Sequence, residues 1–412
     1  MGGDYYDRDM VSSSNVNSGS SSTNNQVQFQ TDIHTSCDPK RWGDEKLEVN
    51  SLNPIVFALD VTGSMGEWTK IIYDKMPMFY GQIMMQKYLK DPCISFCALG
   101  DAQYDRAPLQ CTEFGRGSEI DQLISKIYLE GGGGGNGIES YEYGAYFYDQ
   151  KVKMINQEIP FYFFTGDEGF YDNLMNDCFK KVFGTSFNHS SLKGTEENIG
   201  CLFFKSVMTK FNVFGLKKEY SSDTRKQWVK ALGEERVLDI KTPKACVDII
   251  LGAIALTSGE RTLDEYVKDL NTRGQSDDRV KEVVASLTPY WNALKTKKIV
   301  PIIRKSKSLN DIALKSQDER LKKYGDKATL FDKVDEKMGN NFPKEFKCPI
   351  SKKIMIDPIV CSDGETFERI SIENWLNEGK LENPITGQTI DMDLTENSLL
   401  KKMIHDYCEK NQ

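Results

Sequence analysis

The run NPIVFALDVTGSMG, from Asn53 to Gly66, constrains the fold more than any other stretch of the chain. Ile55 to Leu59 is continuous apolar sequence with the length and β-branched content of a fully buried strand, and it stops at a carboxylate, Asp60. Open α/β sheets bind ligands outside the carboxyl ends of their strands. Asp60, Thr62 and Ser64 alternate through a glycine-containing turn, so a carboxylate and two hydroxyls can face one point there. Three hard oxygens suit Mg²⁺ or Mn²⁺. The same residues could serve only to cap the following helix. An aspartyl nucleophile of the Asp-x-Asp type is a poorer fit, because Thr62 stands where the second carboxylate is needed.

The pattern recurs downstream. Trp68 to Leu89 carries apolar residues at helical spacing, and CISFCALGD (93–101) reads as a second buried strand ending in a carboxylate. Gln110 to Phe114 is a candidate third strand and Glu119 to Glu130 a helix. The glycine run 131–135 releases the backbone before a helix that begins near Ser140, and Asn136, Glu139 and Ser140 supply oxygen donors beside it. PFYFFTGDEG (160–169) is an aromatic strand ending at Asp167 and Glu168. FNVFGLKK (211–218) and RVLDI (236–240) read as further strands, and Cys246 to Thr257 as a helix. Strands alternating with helices predict an α/β fold, a doubly wound and mostly parallel sheet with helices on both faces.

From about residue 50 to 287 the chain resembles a von Willebrand factor A domain. The resemblance implies a divalent-metal site, Mg²⁺ or Mn²⁺, in which Asp60, Thr62 and Ser64 are first-loop ligands and Asp167 is the third-loop acid, acting directly or through water. The Thr usual in the second loop is absent, and Asn136, Glu139 or Ser140 stand as substitutes. Such a metal keeps an open position for a partner's carboxylate, so the implied role is binding rather than catalysis.

A chain of 412 residues has room for two or three domains. Its net charge of −8 argues against a nucleic-acid or anionic-membrane surface. Ten cysteines without paired spacing, and no apolar leader, read as reduced thiols of a cytoplasmic protein. The apolar run Val247 to Leu256 is interrupted by Asp248 and too short to span a bilayer, which makes it a core helix. Residues 1–45 are rich in Ser, Asn and Gly and read as a disordered arm. Residues 288–341 are highly charged and read as solvated helices connecting domains, able at most to pair two copies of the chain as a homodimer.

The last seventy or so residues, 342–412, carry a second signal: FPKEFKCPISKKIMIDPIVCSDGETFERISIENWL, then NPITGQTI and LTENSLLKKMI. Asp363 and Gly364 mark a hairpin turn, Arg369 to Leu376 begins a helix, Asn383 to Gly387 is a second turn, and Asn397 to Tyr407 is a closing amphipathic helix. The result is a small α+β unit of ββα type. A zinc-bound RING needs eight ligands in pairs, and Cys348, Cys361, His405 and Cys408 contain no close Cys pair, so zinc is not expected. The segment resembles a U-box, the metal-free relative of the RING, with Asp363, Glu365, Glu368 and Arg369 as candidates for the bonds that replace the ions. That resemblance implies docking of a ubiquitin-conjugating enzyme on an exposed apolar face at Ile350, Trp375 and Pro384, and transfer of ubiquitin with no catalytic residue of the chain's own. Some active U-boxes carry an Arg after the second-loop Pro-x-Thr; here Gly387 follows instead.

The expected protein is thus a ubiquitin ligase whose metal-binding domain selects a protein substrate. A metal-dependent scaffold, its U-box serving only as an interaction surface, is the alternative.

Overall fold

The computed structural model describes residues 32–131, 136–187, 198–218, 222–304, 309–339, 342–378, 380–391 and 393–411. They form two compact units that divide after Arg304. Most of the expected arm, residues 1–31, lies outside the described residues. Its last part is not an arm: 3₁₀ turns form at Thr35–Cys37 and Pro39–Trp42, and Cys37 is fully buried.

The first unit runs β1 (Leu47–Val49), β2 (Asn53–Asp60), α1 (Glu67–Gln86), β3 (Pro92–Leu99), β4 (Leu109–Cys111), α2 (Glu119–Ile124), β5 (Ile138–Glu139), α3 (Tyr141–Gln150) and β6 (Val152–Met154). It continues through β7 (Phe161–Gly166), β8 (Gly169–Phe170), α4 (Asn176–Phe183), α5 (Ile199–Val207), β9 (Asn212–Lys218), α6 (Ser222–Leu232), β10 (Val237–Ile240), α7 (Pro243–Ser258), α8 (Leu263–Thr272) and α9 (Asp277–Lys295). The main sheet has the order β10-β9-β7-β2-β3-β4, parallel except for the edge strand β4.

Every residue of β2 is buried because the sheet is covered on both faces. Alternate side chains of a strand point to opposite faces. Ile55, Phe57 and Leu59 join a core with Ile72 and Met76 of α1 and Ile250 and Ile254 of α7. Val56 and Ala58 join another with Tyr148 of α3, Phe204 of α5 and Trp228 of α6. Phe57, Phe163 and Phe214 stack across three neighbouring strands at 5.9 and 5.3 Å between ring centres. The doubly wound, mostly parallel sheet is therefore the fold that forms.

Helix α7 is the predicted core helix, and its one acid has a partner on each side: Asp248 bridges Arg273 at 3.0 Å and Arg279 at 2.9 Å. One element is shorter than its sequence pattern suggests. The predicted helix 119–130 ends at Ile124. Gln110 holds the backbone of Tyr128 through both its amide groups, at 2.8 and 2.9 Å, and the Glu130 carboxylate accepts from the N–H groups of Arg106 and Ala107. Those bonds draw the segment away from the helix.

The expected solvated connector, 288–341, is divided between the units. Ile302 N–H donates to Asn212 Oδ1 at 2.8 Å and Arg304 N–H to Glu158 O at 2.7 Å, which straps the tail of α9 to the first unit. In the second unit α10 (Leu309–Tyr324) and α11 (Asp326–Met338) precede β11 (Pro358–Val360), β12 (Thr366–Glu368), α12 (Arg369–Leu376), β13 (Thr395–Glu396) and α13 (Ser398–Lys410). The three strands form an antiparallel sheet, β12-β11-β13. Ile312 and Ala313 of α10 and Ala328, Phe331 and Val334 of α11 share one core with Cys348, Ile359, Phe367 and Ile404. These helices are structural parts of the terminal unit.

Candidate functional site

The parallel strands β2, β7 and β9 end side by side, and each delivers a charged residue to one edge: Asp60 from β2, Asp167 just beyond β7, and Lys217 and Lys218 from β9. Between β2 and β7 the strand order reverses direction, which is where such sheets open a crevice. Asp60 is fully buried. Its Oδ1 accepts the Thr62 N–H at 2.8 Å and the Thr62 hydroxyl at 2.5 Å, and its Oδ2 accepts the Tyr141 hydroxyl at 2.5 Å. Thr62 Oγ1 lies 3.3 Å from Ser64 Oγ, which donates to Asp167 Oδ1 at 2.9 Å. The sheet edge thus joins Asp60, Thr62, Ser64 and Asp167 in one chain of oxygens. Burial pushes the Asp60 carboxyl up to about 7, against the pull of the hydrogen bonds from Thr62 and Tyr141.

Tyr141 reaches Asp60 only because residue 166 is glycine, since a Cβ there would lie 2.3 Å from the Tyr141 hydroxyl. Sequence reasoning missed Tyr141, whose sole signal is its place after Ser140 at the start of α3. It also missed the two lysines, which read as the tail of a strand. Lys218 Nζ donates to Asp167 Oδ2 at 3.2 Å and to Ser64 O at 2.6 Å, and Lys217 Nζ donates to Asp167 O at 2.9 Å.

Asn136 and Ser140 are bonded elsewhere. The Asn136 amide donates to Asp101 Oδ2 at 3.2 Å and to the Tyr171 hydroxyl at 2.7 Å, and Ser140 Oγ accepts the Ala102 N–H at 2.9 Å. Both belong to a cluster around Asp101. Glu139 is the second-loop residue with spare capacity: it is buried, its Oε2 has no hydrogen-bond partner, and burial, reinforced by Asp60 and neighbouring acids, raises its carboxyl to about 10. A buried unpaired carboxyl beside Asp60, and four oxygens with two carboxylates among them, fit a small divalent cation. Among the described residues no group of three or more His, Cys, Asp and Glu gathers as a metal cluster.

In the second unit two loops flank α12. Cys348 N–H bonds Lys353 O at 2.8 Å to close the first, with Lys352 at φ +60°. Asn383 organises the second: its Oδ1 accepts from the N–H of Ile385 at 2.7 Å and of Thr386 at 3.1 Å, and its amide donates to Asp363 Oδ2 at 2.5 Å. Gly387 stands at φ +73°, the left-handed region that favours glycine, which gives the departure from arginine a backbone reason. The Trp375 indole N–H donates to Glu382 O at 2.7 Å and so ties α12 to that loop.

Of the four residues named as candidates for bonds in place of metal ions, three make side-chain bonds within the unit. Asp363 holds the second loop, Glu368 Oε2 accepts the Ile356 N–H at 2.7 Å, and Arg369 pairs with Asp357 at 2.6 Å. Glu365 takes part through its backbone, its carbonyl accepting from the Cys361 N–H and its N–H donating to Asp363 Oδ1 at 3.2 Å. Trp375 and Pro384 are half-buried. Ile350 is not the exposed apolar residue that was expected: it is 2% exposed, packed into the core of the unit.

Residues 342–412 match the U-box domain family. U-box domain-containing protein 5 of Arabidopsis thaliana is 26% identical over 187 residues, which take in 42% of this chain and 25% of that protein. U-box domain-containing protein 12 of the same plant is 44% identical over 70 residues, 17% of this chain and 11% of the relative. The chain therefore spans a quarter or less of these relatives' length. Among solved structures, the pilus adhesin SpaC from Lactobacillus rhamnosus GG in its open conformation aligns with a TM-score of 0.36 at 11% identity, covering 52% of this chain and 31% of that one. A von Willebrand factor type A protein from Catenulispora acidiphila aligns with a TM-score of 0.29 at 14% identity, covering 51% and 43%.

Proposed function

We propose that this U-box-bearing chain is a ubiquitin-protein ligase that recruits a ubiquitin-charged conjugating enzyme through its terminal unit and a protein substrate through the α/β unit. The observation that carries the reading is the arrangement around α12: two loops fixed on either side of a helix whose Trp375 is hydrogen-bonded to one of them. Transfer would be direct. The substrate's amine attacks the thioester carbonyl of the charged enzyme, the C–S bond breaks, an isopeptide bond forms and the enzyme's thiolate leaves. The U-box contributes by holding the thioester in a reactive orientation. Its own thiols are unsuited to carrying ubiquitin, since Cys348 is fully buried and burial pushes Cys361 and Cys408 up to about 11.

At the sheet edge Asp60, Thr62, Ser64 and Asp167 would hold Mg²⁺ or Mn²⁺, with Glu139 at hand from the second loop. A bound ion supplies positive charge for an acidic side chain of the partner. The chain's free thiols suit a reducing compartment such as the cytoplasm.

Ubiquitination assays with activating enzyme, a panel of conjugating enzymes, ATP and Mg²⁺ test the ligase: Trp375→Ala and Ile350→Ala abolish autoubiquitination, and unchanged activity removes the docking site from consideration. Calorimetric titration with Mg²⁺ and Mn²⁺ tests the metal centre. Wild type gives heat and Asp60→Ala does not; no heat from either protein refutes it. The scaffold reading draws its support from the burial of Ile350, and silence across the whole panel would favour it.

A further inference from the structure

Ile350 and Ser351 form the tip of a loop, yet they are 2% and 1% exposed. A loop tip has no backbone reason to be so covered, and α10 is the element that meets it. Gln317 Nε2 donates to Ser351 O at 2.7 Å. On the opposite side of α10, Asn374, the residue before Trp375, is held from several directions: Lys315 Nζ donates to its Oδ1 at 2.7 Å, and its amide lies 3.2 Å from Ser316 Oγ and 2.7 Å from Glu319 Oε2. Between those two rows Ile312, Ala313 and Ser316 are buried. Helical spacing sets Lys315 and Glu319 on one flank and Gln317 on the other, so α10 straddles the ground between the first loop and α12.

We propose that the amino-terminal half of α10, Leu309 to Gln317, is a built-in cover over the conjugating-enzyme docking face and must be displaced before that enzyme can bind. The inference rests on the docking reading given above. The two halves of α10 are held differently. Arg320 is 1% exposed, and its guanidinium donates to Asp332 of α11 at 3.1 Å and to Ile354 O at 3.1 Å, which anchors the carboxyl half. Ahead of it Ile312 and Ala313 sit in the shared core with Leu309 packed against it, and the polar grip on α12 is made by the buried Ser316 together with Lys315 and Glu319, whose side chains are about 40% exposed. Exposed charged contacts of this kind contribute little individually and are readily exchanged for solvent. The carboxyl half thus has a buried guanidinium anchor that the amino half lacks, and the amino half is held by a narrow apolar seam flanked by exchangeable polar contacts.

The test uses the full chain. Lys315→Ala/Gln317→Ala/Glu319→Ala leaves the buried residues Ile312, Ala313 and Arg320 in place while removing the polar grip. It raises autoubiquitination about tenfold over wild type, and adding Ile350→Ala removes the gain. The complementary variant, Ser316→Cys/Asn374→Cys, joins side chains that already meet; it is inactive when oxidised and active after reduction. Equal rates for wild type, the triple variant and both redox states, in a protein that Trp375→Ala silences, overturn the cover and leave the docking face standing. If Trp375→Ala and Ile350→Ala change nothing in the triple variant, or if no variant supports conjugation, the docking reading itself fails.

Discussion

Lys218 places an ammonium on the acid that would otherwise complete a metal site. Its contact with Asp167 at 3.2 Å, in a site only 22% exposed on the lysine side, means a divalent ion has to compete with a tethered charge. Lys218→Met is expected to tighten Mg²⁺ or Mn²⁺ binding by roughly tenfold in a calorimetric titration, whereas Asp167→Asn weakens it. Asp357 offers a titration test in the other unit. Against the burial that pushes its carboxyl up, hydrogen bonds from Arg369 and Lys401 hold it below the ordinary carboxylate range. A lowered folded-state value means the stabilisation is present above the unfolded value of about 3.9 and is lost as pH falls through the folded one. The melting temperature of wild type should exceed that of Asp357→Asn at pH 6, and the difference should shrink below about pH 4. Asp60, Thr62, Ser64 and Asp167 were legible because an apolar strand breaking at an acid is a local pattern. Tyr141 was not, because its role depends on Gly166, which is distant in sequence and matters only for lacking a side chain.

Elements show the same division between local and non-local information. The strands β2, β3, β7 and β9 were readable from nearly continuous apolar runs, whose burial on both faces needs no partner to be known, and β10 and the helix α7 from runs broken by one acid each, Asp239 and Asp248. Helices α10 and α11 were misread as solvated. The face that α10 buries contains Ser316 and Arg320 beside Ile312 and Ala313, so its apolar period is broken by polar residues satisfied only by Asn374, Asp332 and Ile354 O. The hydrogen bonds of Asn136 and Ser140 were hidden for a similar reason, since nothing in the sequence says that their loop bonds to Asp101 and Ala102. Close helix packing is likewise invisible until the fold is known. A Cβ on Gly252 of α7 would lie 2.3 Å from Leu287 of α9 and 2.6 Å from Tyr266 of α8. Gly252→Ala is expected to cost about 1–3 kcal/mol in chemical denaturation, most of it from forcing those helices apart.

At the scale of the whole molecule the described residues form two compact units, and the boundary after Arg304 falls well before the U-box begins. A fragment beginning at residue 305 keeps α10 and α11. One trimmed to the family boundary at residue 342 loses the partners of Ile350, Ile354 and Cys408 in their shared core. The longer fragment should melt cooperatively at a higher temperature than the shorter, and the shorter should bind more of a hydrophobic dye. Equal melting temperatures would show that the two helices add nothing to the fold.

The way α10 is fastened also fixes how it comes off. Its amino end is held by Leu309, Ile312 and Ala313 against the core, while Arg320 is clamped by hydrogen bonds four residues before the helix closes. A pull delivered along the chain at Leu309 therefore loads the contacts in succession, Leu309, Ile312 and Ala313 first, then Lys315 and Ser316, then Gln317 and Glu319, as tape is peeled from one corner. Contacts loaded one after another yield at a lower force than contacts sheared together, so the direction of the pull decides how readily the cover opens.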